Sequence, residues 1–174
     1  AMVALQNLQK TNSELATTQN RINTGKAINS AKDNGAIWAI AQSQRSESAS
    51  LNAVKSSLQR GQSTVDVALS AGESVSDLLT QMKTLALSAS DASLGTSAHA
   101  SLNEDFVNLR NQITTVVANA SFDGTNLLVA GTAGFKALAN AKGTSTINVG
   151  QQNMSLSGSI VTISATGTVA TVSA

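Results

Sequence analysis

Residues 37–86 read IWAIAQSQRSESASLNAVKSSLQRGQSTVDVALSAGESVSDLLTQMKTLA, and the period of their apolar residues decides the fold. With Ile37 at heptad position a, the a column is Ile37, Gln44, Leu51, Leu58, Val65, Gly72, Leu79 and Ala86. The d column is Ile40, Glu47, Val54, Gly61, Ala68, Val75 and Met82. Of these 15 positions 11 are apolar, where the chain's 41% apolar content gives about six. This period predicts one long helix, roughly 75 Å at 1.5 Å per residue. A strict seven-residue repeat also implies a left-handed supercoil with at least one partner helix, because the stripe of an undistorted helix drifts.

Outward from that helix, Leu102, Phe106, Leu109, Ile113, Val116 and Ala120 form a second stripe with alternating spacings of four and three. Ser101-Leu102-Asn103-Glu104 reads as a capping box at its start, and Ser97 is an equal candidate for the cap. The small polar linker Ser90 to Ala100 lets this helix fold back antiparallel on the first. Upstream, Leu8, Leu15 and Ile22 recur at sevens over about residues 2–23, but their companions Thr11, Thr18 and Gly25 are not apolar. That helix breaks at Thr24-Gly25, and the Asn, Ser, Asp and Gly content up to Gly35 reads as a joint.

After Ala120 the period changes. Ser121-Phe122-Asp123-Gly124-Thr125 carries an Asp-Gly turn signal, and Leu127-Leu128-Val129 is a short apolar run. Residues 146–149, 154–156 and 159–163 alternate apolar and polar between glycines, and are expected as short hairpin strands. The tail from Ser164 to Ala174 is too small-residue-rich for a strand and too β-branched for a helix, and is expected to be mobile. The expected fold is therefore mainly α with a small β part: a long antiparallel coiled-coil-like rod plus β-hairpins. Its segments are an N-terminal helix over 1–24, a joint over 25–34, a helical rod over 35–120 (helices about 35–89 and 97–119) and a hairpin region over 121–174.

The composition narrows the function. Eleven basic and ten acidic residues leave a net charge of +1, which is no electrostatic footprint for nucleic acid. No run of about 18 apolar residues predicts membrane insertion, and no basic-then-apolar leader is visible. Cysteine is absent, so thiolate metal sites and thiol nucleophiles are excluded. Proline and tyrosine are absent too, and the aromatics are Trp38, Phe106, Phe122 and Phe135 alone. Narrow helix seams packed with Ala, Val and Leu suit such a chain better than a thick core.

No residues assemble into catalytic, metal or cofactor chemistry. His99 is the only histidine, read as a solvated linker residue, so no triad or histidine-pair site exists. The adjacent Glu104 and Asp105 are expected in a helix first turn, where they complement the dipole. Gly131-Thr132-Ala133-Gly134-Phe135-Lys136 lacks the glycine spacing and the Gly-Lys-Ser/Thr ending of a phosphate loop. Trp38, beside Ile37 and Ile40, reads as a core or subunit contact.

The run from Arg21 to Ala36 contains Thr24-Gly25, Ile28-Asn29-Ser30-Ala31 and Lys32-Asp33-Asn34-Gly35-Ala36. It closely resembles the N-terminal signature of bacterial flagellins, in which a Ser-Gly, an Ile-Asn-Ser-Ala and a Lys-Asp-Asp-Ala-Ala follow in this order. Phe122-Asp123-Gly124-Thr125-Asn126-Leu127-Leu128 resembles the Phe-Asn-Gly segment after the second helix of that family. The resemblance spans roughly residues 3–163.

That resemblance implies a structural subunit of the flagellar filament, a secreted homopolymer outside the cell that serves swimming motility. Its partners would be other flagellin subunits, an export chaperone and the filament cap. It implies that 2–23 end an inner-tube helix, that Gly25, Asn29, Ala31, Lys32 and Asp33 form the joint, and that the rod packs through its seam. The seam residues are Ile37, Ile40, Leu51, Val54, Leu58, Val65, Leu79, Met82, Leu102, Phe106, Leu109 and Ile113. Family members end in further C-terminal helices, so an N-terminal fragment is expected here. In Leu79 to Leu85, the axial-contact segment read by the vertebrate innate flagellin receptor, Gln81 and Thr84 stand where the receptor-activating type has Arg and Glu. These two replacements imply weak or absent receptor activation; Lys83 and Leu85 belong to the same segment. A coiled-coil adaptor or a hook-filament junction protein is the alternative reading.

Overall fold

The structure is a computed structural model that describes residues 2–169. Three helices, α1 (Met2–Thr24), α2 (Gly35–Ala89) and α3 (Thr96–Asn119), precede four short strands, β1 (Ser121–Phe122), β2 (Thr125–Asn126), β3 (Phe135–Leu138) and β4 (Thr146–Val149). The protein is thus mainly α with a small antiparallel β part. Contacts group it into two compact units, Ala1–Asn52 and Ala53–Ala174.

In the first unit no described residue is buried. α1 ends at Thr24, and Gly25 takes φ +63°, the left-handed conformation that terminates helices at low cost only for glycine. Leu8, Leu15 and Ile22 all face solvent.

In the second unit the core is one cluster. Met82, Val75 and Ala68 descend α2 by sevens while Phe106, Ile113 and Ala120 ascend through α3 by sevens, as antiparallel neighbours require. Leu127, Leu128, Val161 and Val169 close it. The heptads of α2 therefore sort differently from an a/d seam. The buried residues are Val54, Ser57, Gly61, Thr64, Ala68, Val75 and Met82, which is the d column joined by polar g residues rather than by a. Two contacts explain this choice. The buried Ser57 Oγ accepts a hydrogen bond from the backbone N–H of Leu138 at 3.1 Å. The buried Thr64 donates to the Arg60 carbonyl of its own helix at 2.8 Å.

Gly61 is the gap in the d column, and the β3–β4 hairpin fills it. A Cβ on Gly61 would lie 2.5 Å from Phe135 Cε1 and 3.1 Å from Cδ1, so the aromatic ring rests directly on the helix backbone. Gly134, at φ +68°, brings that ring in, and a Cβ there would collide with the Val149 carbonyl oxygen at 2.4 Å.

Several local expectations change. α3 begins at Thr96 with Gly95 as an extended cap whose side-chain role is nil, so Ser97 and Ser101 lie within the helix and no acidic residue occupies its first turn. The cause sits in the linker. The Asp91 carboxylate accepts from Ser93 N–H at 2.9 Å and Ser93 Oγ at 2.7 Å, which turns the chain before Ser97 is reached. His99 is accordingly a half-buried residue of the first helical turn and not a linker residue.

β1 and β2 form a two-residue hairpin whose Asp123 and Gly124 both have positive φ, the turn that Asp-Gly favours. Leu127 and Leu128 are buried but lie outside any strand. Residues 154–163 also form no strand: Gln152 and Met154 donate to the Leu127 and Leu128 carbonyls, and Ser157 then turns the chain at φ +60°. β3, a strand unanticipated in the glycine-flanked Phe135 segment, pairs with β4 in the register Phe135↔Val149 to Leu138↔Thr146. Of the expected mobile tail, residues 170–174 lie outside the described residues. Residues up to Val169 are tied to α3, since Arg110 donates to the Gly167 carbonyl and Val169 N–H donates to Asn103 Oδ1 at 3.1 Å.

Replacing Gly61 by Leu is expected to lower the unfolding free energy by about 1–3 kcal/mol through overpacking against Phe135. The same substitution in a Phe135→Ala background is expected to cost less, because the ring is gone. Urea denaturation of the four variants measures the coupling; equal costs in both backgrounds would remove the role assigned to the notch.

Candidate assembly surface

The joint is built around one carboxylate. Asp33 Oδ2 accepts from the backbone N–H of Asn29 and of Ser30, each at 3.0 Å, and lies 3.4 Å from Ser30 Oγ. Asp33 N–H returns a bond to the Ser30 carbonyl at 3.1 Å, and Lys32 N–H donates to Ser30 Oγ at 3.3 Å. The amide of Asn29 and then that of Ser30 hold the Asp33 carboxyl below its ordinary value of 3.8, with Ser30 Oγ and the more distant Arg21 charge adding to this. Asn34 Oδ1 accepts from Ile37 N–H at 3.2 Å and so caps α2. Of the residues expected in the joint, Asn29 and Asp33 thus make the turn and Gly25 ends the helix before it. Lys32 contributes its backbone, and the Ala31 and Lys32 side chains face solvent.

The expected seam residues divide. Val54, Met82, Phe106 and Ile113 are buried, and Leu79, Leu102 and Leu109 are half-buried. Ile37 (50% exposed), Ile40 (59%), Leu51 (52%), Leu58 (39%) and Val65 (38%) stay open along α2. Single exposed apolar residues are ordinary, but an aligned set is the usual mark of an interaction surface. Within the second unit Val65 also belongs to an apolar trough, where Val65, Leu69 and Gly72 of α2 face Leu127, Val149 and Ile160.

In the segment Leu79 to Leu85, Gln81, Lys83 and Thr84 are exposed and Leu85 is half-buried. Gln81, Thr84 and Leu85 line one groove with Asp105, Asn108, Leu109 and Gln112 of α3. The residues that sequence reasoning missed are Ser57, Gly61 and Thr64, since polar and glycine positions give no hydrophobic signal. Their spacings of four and three were the available clue.

Among the described residues no group of three or more His, Cys, Asp or Glu side chains is placed to hold a metal ion. No described helix is long and apolar enough to cross a membrane.

Residues 1–133 match the family described as bacterial flagellin N-terminal helical region. The chain is 54% identical over 170 residues to flagellin FljK of Caulobacter vibrioides, covering 98% of this chain and 62% of that relative. It is 56% identical over 143 residues to flagellin FljN of the same organism, covering 82% and 52% respectively. Flagellin C of Rhizobium meliloti is 37% identical over 160 residues, with coverage of 92% and 47%. The chain therefore spans about half to six-tenths of the length of these relatives.

Because Asp33 is ionised in the folded joint below pH 3.8, its tie contributes at neutral pH and is lost only as pH falls through the depressed value. Amide hydrogen exchange is expected to show Asn29 and Ser30 protected at pH 4 and above, with the protection lost in Asp33→Ala at every pH. Unchanged exchange in that variant would contradict the joint's construction.

Proposed function

Since this chain belongs to the bacterial flagellins, we infer that it serves as a structural subunit of the flagellar filament, a secreted homopolymer that carries motor torque. The single observation behind this reading is that α2 leaves large apolar side chains open in each unit, Ile37, Ile40 and Leu51 in the first and Leu58 and Val65 in the second. Covering such a side chain with a neighbouring helix contributes about 25 cal/mol per Å² of apolar surface removed from water. A row running along one helix accumulates that gain over many stacked copies without any one contact being strong. The other subunits of the polymer are the partners proposed for this row, and an export chaperone and filament cap are proposed for the chain before and during assembly.

The joint serves this role by linking α1 to α2 through a hydrogen-bonded turn in place of a buried core. Aliphatic side chains left open on a long helix suit a scaffold. Gln81 and Thr84, exposed in the segment that the flagellin receptor reads in other flagellins, support a weakly activating surface.

Leu51 and Leu58 are exposed, so a Leu51→Ser/Leu58→Ser variant of the full-length protein is expected to keep its fold and lose polymerisation. If each leucine contributes about 1.4 kcal/mol to assembly, the critical concentration rises about tenfold per residue. Electron microscopy and sedimentation check this; tubes formed at the wild-type concentration would overturn the assignment. A reporter cell line bearing the receptor is expected to respond weakly to the purified wild-type protein and more strongly to Gln81→Arg/Thr84→Glu. A strong wild-type response would refute the reading of that segment.

A further inference from the structure

Asn34 is the one asparagine in the chain followed by glycine. In that pair the backbone nitrogen of the second residue can reach the side-chain amide carbon of the first and close a five-membered ring. Any larger following residue crowds the approach. Here the surroundings are open: Asn34 and Gly35 are both exposed, and beyond the adjoining residues and the backbone of its own helix a Cβ on Gly35 would meet no atom within 4 Å.

The local bonding also favours the reaction. Gly35 is the first residue of α2, so its N–H has no carbonyl within the helix to bond. The amide nitrogen Nδ2 of Asn34, the leaving group, makes no hydrogen bond among the described residues. The Ile37 N–H instead donates to Asn34 Oδ1 at 3.2 Å, the one hydrogen bond that holds this side chain in its capping position. The opposing cost is small. The side chain must leave one long hydrogen bond, and the first turn of α2 must fray at the Trp38 N–H to Asn34 carbonyl bond of 3.0 Å.

We propose that Asn34 is a site of spontaneous covalent modification, at which Asn34-Gly35 converts through a succinimide to an aspartyl or isoaspartyl linkage. The Gly35 nitrogen loses its proton and bonds to Cγ of Asn34; the Cγ–Nδ2 bond breaks and ammonia leaves. One water then opens the ring. Addition at Cγ gives aspartate on an unchanged main chain, and addition at the Asn34 backbone carbonyl gives isoaspartate, with the main chain routed through Cγ. The balance is one water consumed and one ammonia released, with no oxidation or reduction.

The two products act oppositely on the joint. Aspartate puts a carboxylate at the N-terminus of α2, where the helix dipole favours it and where it remains a competent cap. Isoaspartate adds a methylene to the main chain between the Asp33 turn and α2, so the Ile37 amide loses its acceptor. An ageing population of this protein then carries joints of two kinds, one reinforced and one loosened, both more acidic than at synthesis.

The test is incubation of the folded full chain at neutral and mildly alkaline pH, followed by peptide mass mapping and enzymatic methyl labelling of isoaspartate. Conversion at Asn34 is expected to rise with time and with pH, and to precede conversion at Asn12 and Asn29, which are followed by serine. Gly35→Ala, which adds its methyl group in open space, is expected to retain the helical circular dichroism and to slow conversion at least about tenfold, equivalent to ~1.4 kcal/mol of barrier. Asn34→Asp supplies the chromatographic standard for one product. Conversion at Asn12 or Asn29 ahead of Asn34, or an unchanged rate in Gly35→Ala, would overturn the proposal.

Discussion

Everything in the second unit depends on how the apolar residues of α2 are shared between two faces. The helix carries enough of them for two columns, and the chain covers one. The d residues Ala68, Val75 and Met82 are taken up by Phe106 and Ile113 of α3, by its cap residue Ala120 and by the segments that follow. Ser57, Gly61 and Thr64 widen that face on the hairpin side, with a hydroxyl that receives a strand amide and a notch that receives an aromatic ring. A polar g column is therefore compatible with burial because each hydroxyl has a partner. The a column meets the core only toward its C-terminal end, at Leu79 and Ala86, and Leu51, Leu58 and Val65 remain open.

The same division explains what could be read from the sequence and what could not. A heptad period follows from side-chain geometry alone, so Ile37 to Ala86 announce one long helix; α2 spans Gly35–Ala89. The period states which residues can share a stripe and is silent about which stripe a short chain will bury. That is decided by Phe135 finding Gly61, a contact across more than seventy positions that no local pattern encodes. Asp123-Gly124 was legible because a two-residue turn with both φ positive restricts the residues that can occupy it. The alternation over 154–163 misled for a physical reason: the amides of Gln152 and Met154 are already committed to Leu127 and Leu128, and Ser157 turns the chain before a second strand can pair.

In the joint, sequence and structure meet at the level of single atoms. Asp33 follows Asn29 and Ser30 at the spacing that lets one carboxylate oxygen receive both amides, and Asn34 follows at the spacing of a helix cap. The motif was recognisable as a motif, but the work of each residue was not. Lys32 and Ala31 belong to the signature and yet send no side chain into the turn.

A turn held only by exposed hydrogen bonds is weak by the standards of a core, since each such bond contributes about 0.5–1.5 kcal/mol net and competes with water. No described residue of the first unit is buried to add to this. Its α1 stripe, Leu8, Leu15 and Ile22, stays in solvent, as does Ile37 at the start of the a column. Apolar burial within this chain therefore stabilises the second unit and leaves the first with secondary structure but no packing of its own. A segment with that energetic profile gains order mainly from surfaces that come to it, which is the physical basis for reading α1 and the a column as parts that neighbouring helices complete.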